Sequence, residues 1–222
     1  CDRFSGAYGL PSILAMCPMS NLHLHYLIQH TTLHNTFQCS QTPRRAWYSR
    51  AMREYYVLTG GPCAGKTTTI LELEKRGCTV IQEPARMLID EGLAQGKTLD
   101  EIRVESFFHE VIHRARKLYE EAPKSGRCFF DRGVPDSLAY YKAFGKEADG
   151  VLREALRGVS YKKIFLLDLV DFEKDEARTE TPEQAMLIHG LIREAYLDQG
   201  FPVVEVPVMP VAERADFILS RL

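Results

Sequence analysis

Gly60, Gly61, Pro62, Cys63, Ala64, Gly65, Lys66 and Thr67 fit the spacing G-x-x-x-x-G-K-[ST], and Thr68 follows them. That spacing predicts a grip on a polyphosphate. Glycines let successive backbone N–H groups turn inward into a concave anion nest, Lys66 reaches the outer phosphates, and the Thr67 hydroxyl can ligate Mg²⁺. A helix opening near Gly65 would aim the positive end of its dipole at the same phosphates. Cys63 lies inside this loop, beside a helix N-terminus and Lys66, an environment that favours thiolate. The plainer reading is a small residue that fits.

Three further groups of polar residues follow apolar runs. Asp131 comes directly after Cys128-Phe129-Phe130, the pattern of a carboxylate that holds Mg²⁺ directly or through water. Arg132 beside it offers a planar fork for phosphate or carboxylate. Glu83 ends another short apolar run and can orient or deprotonate an attacking hydroxyl, with Arg86 one helical turn on to bind an anionic part of an acceptor. Asp168 with Asp171 stands after a further run. Arg178, in a charged loop, is placed to fold over a nucleotide and offset charge on a transferring phosphoryl group. Each has a duller reading: helix N-terminal charges, mutual ion pairs, or a solvated loop. Asp136, after Pro135, reads as a helix N-cap.

These residues can meet only if strands deliver them to one edge. Tyr55-Tyr56-Val57-Leu58 reads as a buried strand, and Thr67 to Lys75 as a helix with Ile70, Leu71 and Leu73 inward, stopped by Gly77. Cys78 to Gln82 is a second strand, followed by a helix to about Leu93. Thr98 to Glu101 is a capping box opening one long helix with inner stripe Val104, Phe108, Val111, Ala115 and Leu118. Strands at Arg127–Phe130, Ile164–Leu167 and Phe201–Val206 complete the set. Helices are expected over Asp136–Phe144, Lys146–Leu156, from Thr181 to Gly200, and from about Val211. The alternation predicts an α/β, three-layer P-loop NTPase fold: a five-stranded parallel sheet with helices on both faces. In such sheets ligands bind at the carboxyl ends of the strands, where all of these groups lie.

The chain has 222 residues and a net charge of −2, a balance that points to no nucleic-acid or membrane partner. Residues 1–52 hold one acid, Asp2, against Arg3, Arg44, Arg45 and Arg50, and show no sustained period. They are expected to be a disordered leader ahead of a domain spanning 53–222. The leader reads either as upstream translated sequence or as an acid-poor transit peptide for a mitochondrion or plastid. His23, His25, His30, His34 and Cys39 can be gathered into a metal set on paper, but nothing apolar frames them. Six scattered cysteines without a C-x-x-C pair suggest a reducing, cytoplasmic setting, and no run reaches the roughly 18 apolar residues of a membrane span.

With GGPCAGKTT, Glu83-Pro84-Ala85-Arg86 and Asp131-Arg132-Gly133 in that order, residues 53–222 resemble the P-loop kinase-like family of small AAA ATPases. That family is related to the kinase domain of bacterial nicotinamide-riboside kinases and to the animal photoreceptor translocation-defect protein. The Glu83-Pro84 and Asp131-Arg132 pairs are also similar to motifs of deoxynucleoside kinases. The resemblance implies a base role for Glu83, and Mg²⁺ and phosphate roles for Asp131 and Arg132. It implies a lid in the loop after the fourth strand, where this chain has Arg178 and no clear second arginine. Animal relatives bind GTP and acidic lipids and carry an additional C-terminal domain.

The expected activity is transfer of the γ-phosphoryl group of ATP·Mg²⁺ to a small hydroxyl-bearing, nucleoside-like acceptor. The rival is an ATP- or GTP-dependent switch or slow NTPase acting through a partner. The guanine-reading [NT]-K-x-D box is absent, which argues against its G-protein form. His109-Glu110-Val111-Ile112-His113 fits the zinc-protease pattern H-E-x-x-H, but helical geometry puts both histidines on a solvated face.

Overall fold

The computed structural model describes residues 53–170 and 181–222. The chain divides into two units, Cys1–Ala51 and Met52–Leu222, and the described residues belong to the second. The expected leader, with its histidines and Cys39, and the loop residues Asp171 and Arg178 lie outside the described residues.

Apolar residues run unbroken from Tyr55 to Leu58 because the strand they form, β1 (Glu54–Thr59), is covered on both faces. It pairs in parallel with β3 (Arg127–Asp131) on one side and β4 (Lys163–Leu167) on the other. The short β2 (Thr79–Ile81) adds to β3, and β5 (Val203–Val206) adds to β4, giving a five-stranded parallel sheet in the order β2-β3-β1-β4-β5. Alternate side chains of β1 feed two cores. Tyr55 and Val57 pack with residues of α4 (Phe107–Glu121), α5 (Val134–Ala143), α6 (Gly150–Arg157) and α7 (Pro182–Asp198). Tyr56 and Leu58 pack with Ile70 and Leu73 of α1 (Lys66–Lys75) and with Ala215 and Ile218 of α8 (Val211–Leu219). The three-layer α/β expectation holds. No helix among the described residues is long and apolar enough to cross a membrane.

Several local expectations change. The helix after Thr98 is two helices: the capping box forms, with Thr98 Oγ1 accepting from Glu101 N–H, but it opens only the short α3 (Leu99–Ile102). Ile102 is packed so tightly on Gly92 of α2 (Pro84–Ala94) that a Cβ there would lie 2.5 Å from it. Anchoring α3 on α2 resets the helical phase before α4 begins. Phe107, Ile112, Ala115 and Tyr119 therefore face the core, and Val104 is exposed. Leu71, expected inward, is 48% exposed.

α6 starts later than expected because Asp149 caps it, accepting from Leu152 N–H at 2.9 Å. The same carboxylate meets His109 Nε2 at 2.6 Å and accepts from the Tyr141 hydroxyl at 3.1 Å, tying α4, α5 and α6 together. His109 thus packs on Asp149 instead of sharing an open face with His113, which is exposed. Among the described residues no group of three or more His, Cys, Asp or Glu side chains gathers around a metal position. The Leu152 N–H, then His109, hold the Asp149 carboxyl down at about 2, so its stabilising effect is present above the ordinary carboxylate range and is lost as pH falls toward 2. Asp149→Ala should cost about 1 kcal/mol and lower the melting temperature by about 2–4 °C at neutral pH. Scanning calorimetry at pH 7 and pH 2.5 checks this, the difference between the two proteins shrinking in acid.

Candidate functional site

β1 delivers the chain into the 60–67 loop at the centre of the sheet's carboxyl edge. Two glycines there answer to distinct demands. Gly60 has φ 149° and lies so close to the end of β4 that a Cβ would sit 2.6 Å from the Leu167 carbonyl oxygen. Gly65, with φ 71°, is the left-handed residue from which α1 departs. Cys63 also has positive φ, at 62°. A non-glycine residue pays for that backbone conformation.

Lys66 folds back over this loop. Its Nζ donates to the Gly60 carbonyl at 3.1 Å and the Gly61 carbonyl at 2.8 Å, and the side chain is largely buried. Burial first, then the Arg132 charge, pull its pKa down to about 7. Thr67 is exposed, and among the described residues its hydroxyl has no hydrogen-bond partner. Thr68 is exposed as well, but its Oγ1 donates to the Gly65 carbonyl at 2.9 Å, as does that of Thr69, so the Thr68 hydroxyl braces the loop. Any part Thr68 takes in phosphate binding falls to its backbone N–H.

The next two strand ends bring Glu83, Asp131 and Arg132 to the loop, as the topology requires. Arg132 Nε donates to Glu83 Oε1 at 2.9 Å, and its Nη1 reaches Asp136 Oδ1 at 2.9 Å and the Gly60 carbonyl at 3.4 Å. Its guanidinium lies over the Tyr140 ring, 5.5 Å from the centroid. Arg132 holds φ 66°, a left-handed backbone that turns its side chain back over the sheet edge. Gly133, which follows, has ordinary φ but is needed for space: a Cβ would lie 2.7 Å from the Tyr196 hydroxyl. Glu83 occupies the N-cap position of α2 without capping it.

Asp131 is 7% exposed, and among the described residues its Oδ1 has no hydrogen-bond partner. Burial first, then neighbouring Glu83, push its carboxyl up to about 6. An orphaned, buried carboxylate oxygen is costly unless something binds it. Together with the Thr67 hydroxyl on the same groove, it fits Mg²⁺, which takes one or two protein oxygens and fills its remaining positions with phosphate and water.

That groove, of about 320 Å³, runs between α1 and α2 from Thr67, Asp131 and Glu83 outward past Glu74, Met87 and Asp90. Leu71 is exposed because it lines this groove. Arg86 lines it too, but pairs with Asp90 at 3.3 Å, so the anion-binding role expected of it competes with a carboxylate on its own helix. Asp168 stands at the end of β4, its N–H donating to the Val206 carbonyl.

Three contributors were not found in the sequence. Asp136, expected at the N-cap, is instead the third residue of α5, whose N-cap is Gly133, and it is a buried hub: it accepts from the Thr59 hydroxyl at 2.5 Å, from Arg132, from Gly133 N–H at 3.0 Å and from the Tyr196 hydroxyl at 2.5 Å. The four-residue step from Arg132 to Asp136 was the available signal. His189 of α7 accepts from Gly61 N–H through Nδ1 at 3.4 Å, and burial holds its pKa down. Arg214 of α8 reaches the loop from behind, its Nη1 donating to the carbonyls of Ala64 at 3.3 Å and Gly65 at 3.4 Å and to Thr69 Oγ1 at 3.2 Å. Nothing local in the sequence marks either of the last two, which lie far along the chain from the loop.

Comparison with known proteins places this arrangement. A family model described as AAA domain matches residues 55–214. No curated protein matches the sequence. Among solved structures the chain is similar to deoxyadenosine kinase from M. mycoides with products dCMP and dCDP bound, at 16% identity and TM-score 0.54, covering 75% of this chain and 97% of that one. It is similar to thymidylate kinase from Ehrlichia chaffeensis at 12% identity and TM-score 0.55, over 75% and 97% of the two chains. It is also similar to the NadR protein in complex with NR, at 15% identity and TM-score 0.59, over 76% of this chain and 50% of that one. At these identities the likeness is one of fold.

Proposed function

This chain belongs to the AAA domain family, and on that footing we propose that it binds ATP with Mg²⁺ and transfers the γ-phosphoryl group to a small hydroxyl-bearing acceptor. The observation that carries this reading is the meeting, at one groove beside the phosphate loop, of a buried carboxylate with an orphaned oxygen and a Glu83–Arg132 ion pair.

Backbone N–H groups of the 60–67 loop and Lys66 hold the phosphates, and Thr67 and Asp131 hold the metal. When bound, Mg²⁺ neutralises charge on the β- and γ-phosphate oxygens. Glu83 orients the acceptor hydroxyl and takes its proton, while Arg132 offsets charge on the transferring group. Arg178, which precedes α7 in the sequence, adds a second cation. Because the transition state is loose, positioning matters more than base strength. Among the described residues lining the groove, Glu74, Glu83, Asp90 and Asp131 are acidic and Arg86 is basic; with Arg132 paired to Glu83 the acidic side chains still outnumber the basic ones, so the groove favours an acceptor without a phosphate of its own.

The test is ADP release by the full chain with ATP and Mg²⁺, comparing a panel of nucleosides with their monophosphates. Release that rises with a nucleoside and not with its monophosphate supports the reading. Release indifferent to every acceptor removes it. The switch reading has one observation in its favour: Arg132 already occupies an oxygen of Glu83.

The raised pKa of Asp131 gives a pH expectation with a defined sign. Between the ordinary Asp range and about 6 the ligand-free fold holds a proton that the unfolded chain does not, so its stability falls as pH rises through that window. Metal entry requires the carboxylate, so Mg²⁺-dependent nucleotide affinity should fall by about tenfold per pH unit below 6. Titrations from pH 5 to 8 check it. Asp131→Asn should abolish the slope.

A further inference from the structure

Arg214 is 4% exposed, yet among the described residues no carboxylate pairs with it. Among the described residues its hydrogen bonds go to the carbonyls of Ala64, Gly65 and Met209 and to the Thr69 hydroxyl, and its Nε is buried without a partner. A buried cation with no counter-ion is an expensive arrangement to keep. Burial pulls its pKa down accordingly. Its acceptors explain the placement. In a trans peptide the C=O and the following N–H point in opposite directions. Drawing the Ala64 and Gly65 carbonyls toward α8 therefore turns the N–H groups of Gly65 and Lys66 toward the phosphate nest, and polarises them in that sense. Steric closeness agrees with this: a Cβ on Gly65 would lie 2.5 Å from Arg214 Nη1.

We propose that Arg214 is a positioning residue for the phosphate site: a fixed cation behind the loop whose counter-charge is the bound polyphosphate, acting through the Ala64–Gly65 and Gly65–Lys66 peptide groups. The proposal rests on the nucleotide-binding reading and adds to it a residue from the last helix. Lys66 and Arg132 meet the loop on the Gly60 and Gly61 carbonyls; Arg214 meets it three peptides later, at the point where α1 begins. The nest is thereby held at both ends by cations.

The test is calorimetric titration of the full chain with inorganic tripolyphosphate and Mg²⁺, alongside ligand-free melting temperatures, for wild type, Arg214→Gln and Arg214→Lys. Gln keeps an amide donor for the carbonyls and loses the charge. Its dissociation constant should rise about tenfold, with a shallower salt dependence. Its ligand-free melting temperature should not fall, since an uncompensated buried charge has been removed. Lys keeps the charge with fewer donors and should stay within about threefold of wild type. If the Gln protein does not fold, Arg214→Met supplies the neutral comparison. A neutral variant with the wild-type dissociation constant, or a Lys variant as weak as the neutral one, overturns the proposal. Wild-type protein that takes up no tripolyphosphate would instead remove the nucleotide reading itself, so the two failures are distinguishable.

Discussion

Lys66→Ala is expected to weaken Mg·ATP binding by at least about a hundredfold, because a charge-assisted bond to the outer phosphates is made inside a largely buried site. Calorimetric titration at pH 7.5 should give measurable heat for wild type and none for the variant at micromolar protein. The fold should survive. Among the described residues Lys66 bonds only to the Gly60 and Gly61 carbonyls, and burial with the neighbouring Arg132 charge already disfavours its ammonium form. Removing it relieves a desolvated cation, so the ligand-free melting temperature of Lys66→Ala should match or exceed that of wild type. A variant that binds Mg·ATP normally would mean that the lysine only ties the loop to itself, and the nucleotide assignment would fall with it.

Glu83→Gln should leave Mg·ATP binding within about twofold of wild type and lower turnover by about 10²–10⁴-fold, the range for losing a positioned base. Gln is isosteric and keeps a side-chain oxygen to accept from Arg132 Nε, so the geometry around the 2.9 Å contact is retained. What disappears is the capacity to take a proton. Equilibrium titration and single-turnover rates with the best acceptor separate the two effects. Unchanged turnover in this variant would favour the nucleotide-dependent switch, in which the Glu83–Arg132 pair holds α2 against the sheet edge and no proton moves.

The parts of this molecule that were legible in sequence are those governed by local rules. Strands appeared as apolar runs, and Thr98, Thr181 and Gly77 marked helix ends. The phosphate loop has fixed spacing, and the parallel topology then requires Glu83, Asp131 and Arg132 to converge on it. The parts that were missed depend on contacts between distant segments. A helical period counted from Thr98 runs on through Val104, because nothing nearby announces that Ile102 will seat on Gly92 and restart the phase. Leu71 fits an inward position by period, but the groove it borders exists only once α2 has packed beside α1. Asp136 looked like a capping residue, and it does bond to Gly133 N–H; its other three partners come from β1, the β3 end and α7. Arg214 was invisible for the same reason.

The strand order has a consequence for how the chain comes into being. Among the described strands β1 is the earliest in the chain, yet both of its neighbours, β3 and β4, are encoded far downstream, and β4 ends only at Leu167. Until then the nascent polypeptide carries Tyr55-Tyr56-Val57-Leu58 with two unsatisfied edges, an adhesive segment in search of a partner. Truncated products lacking β4 are therefore expected to aggregate more readily than the full chain.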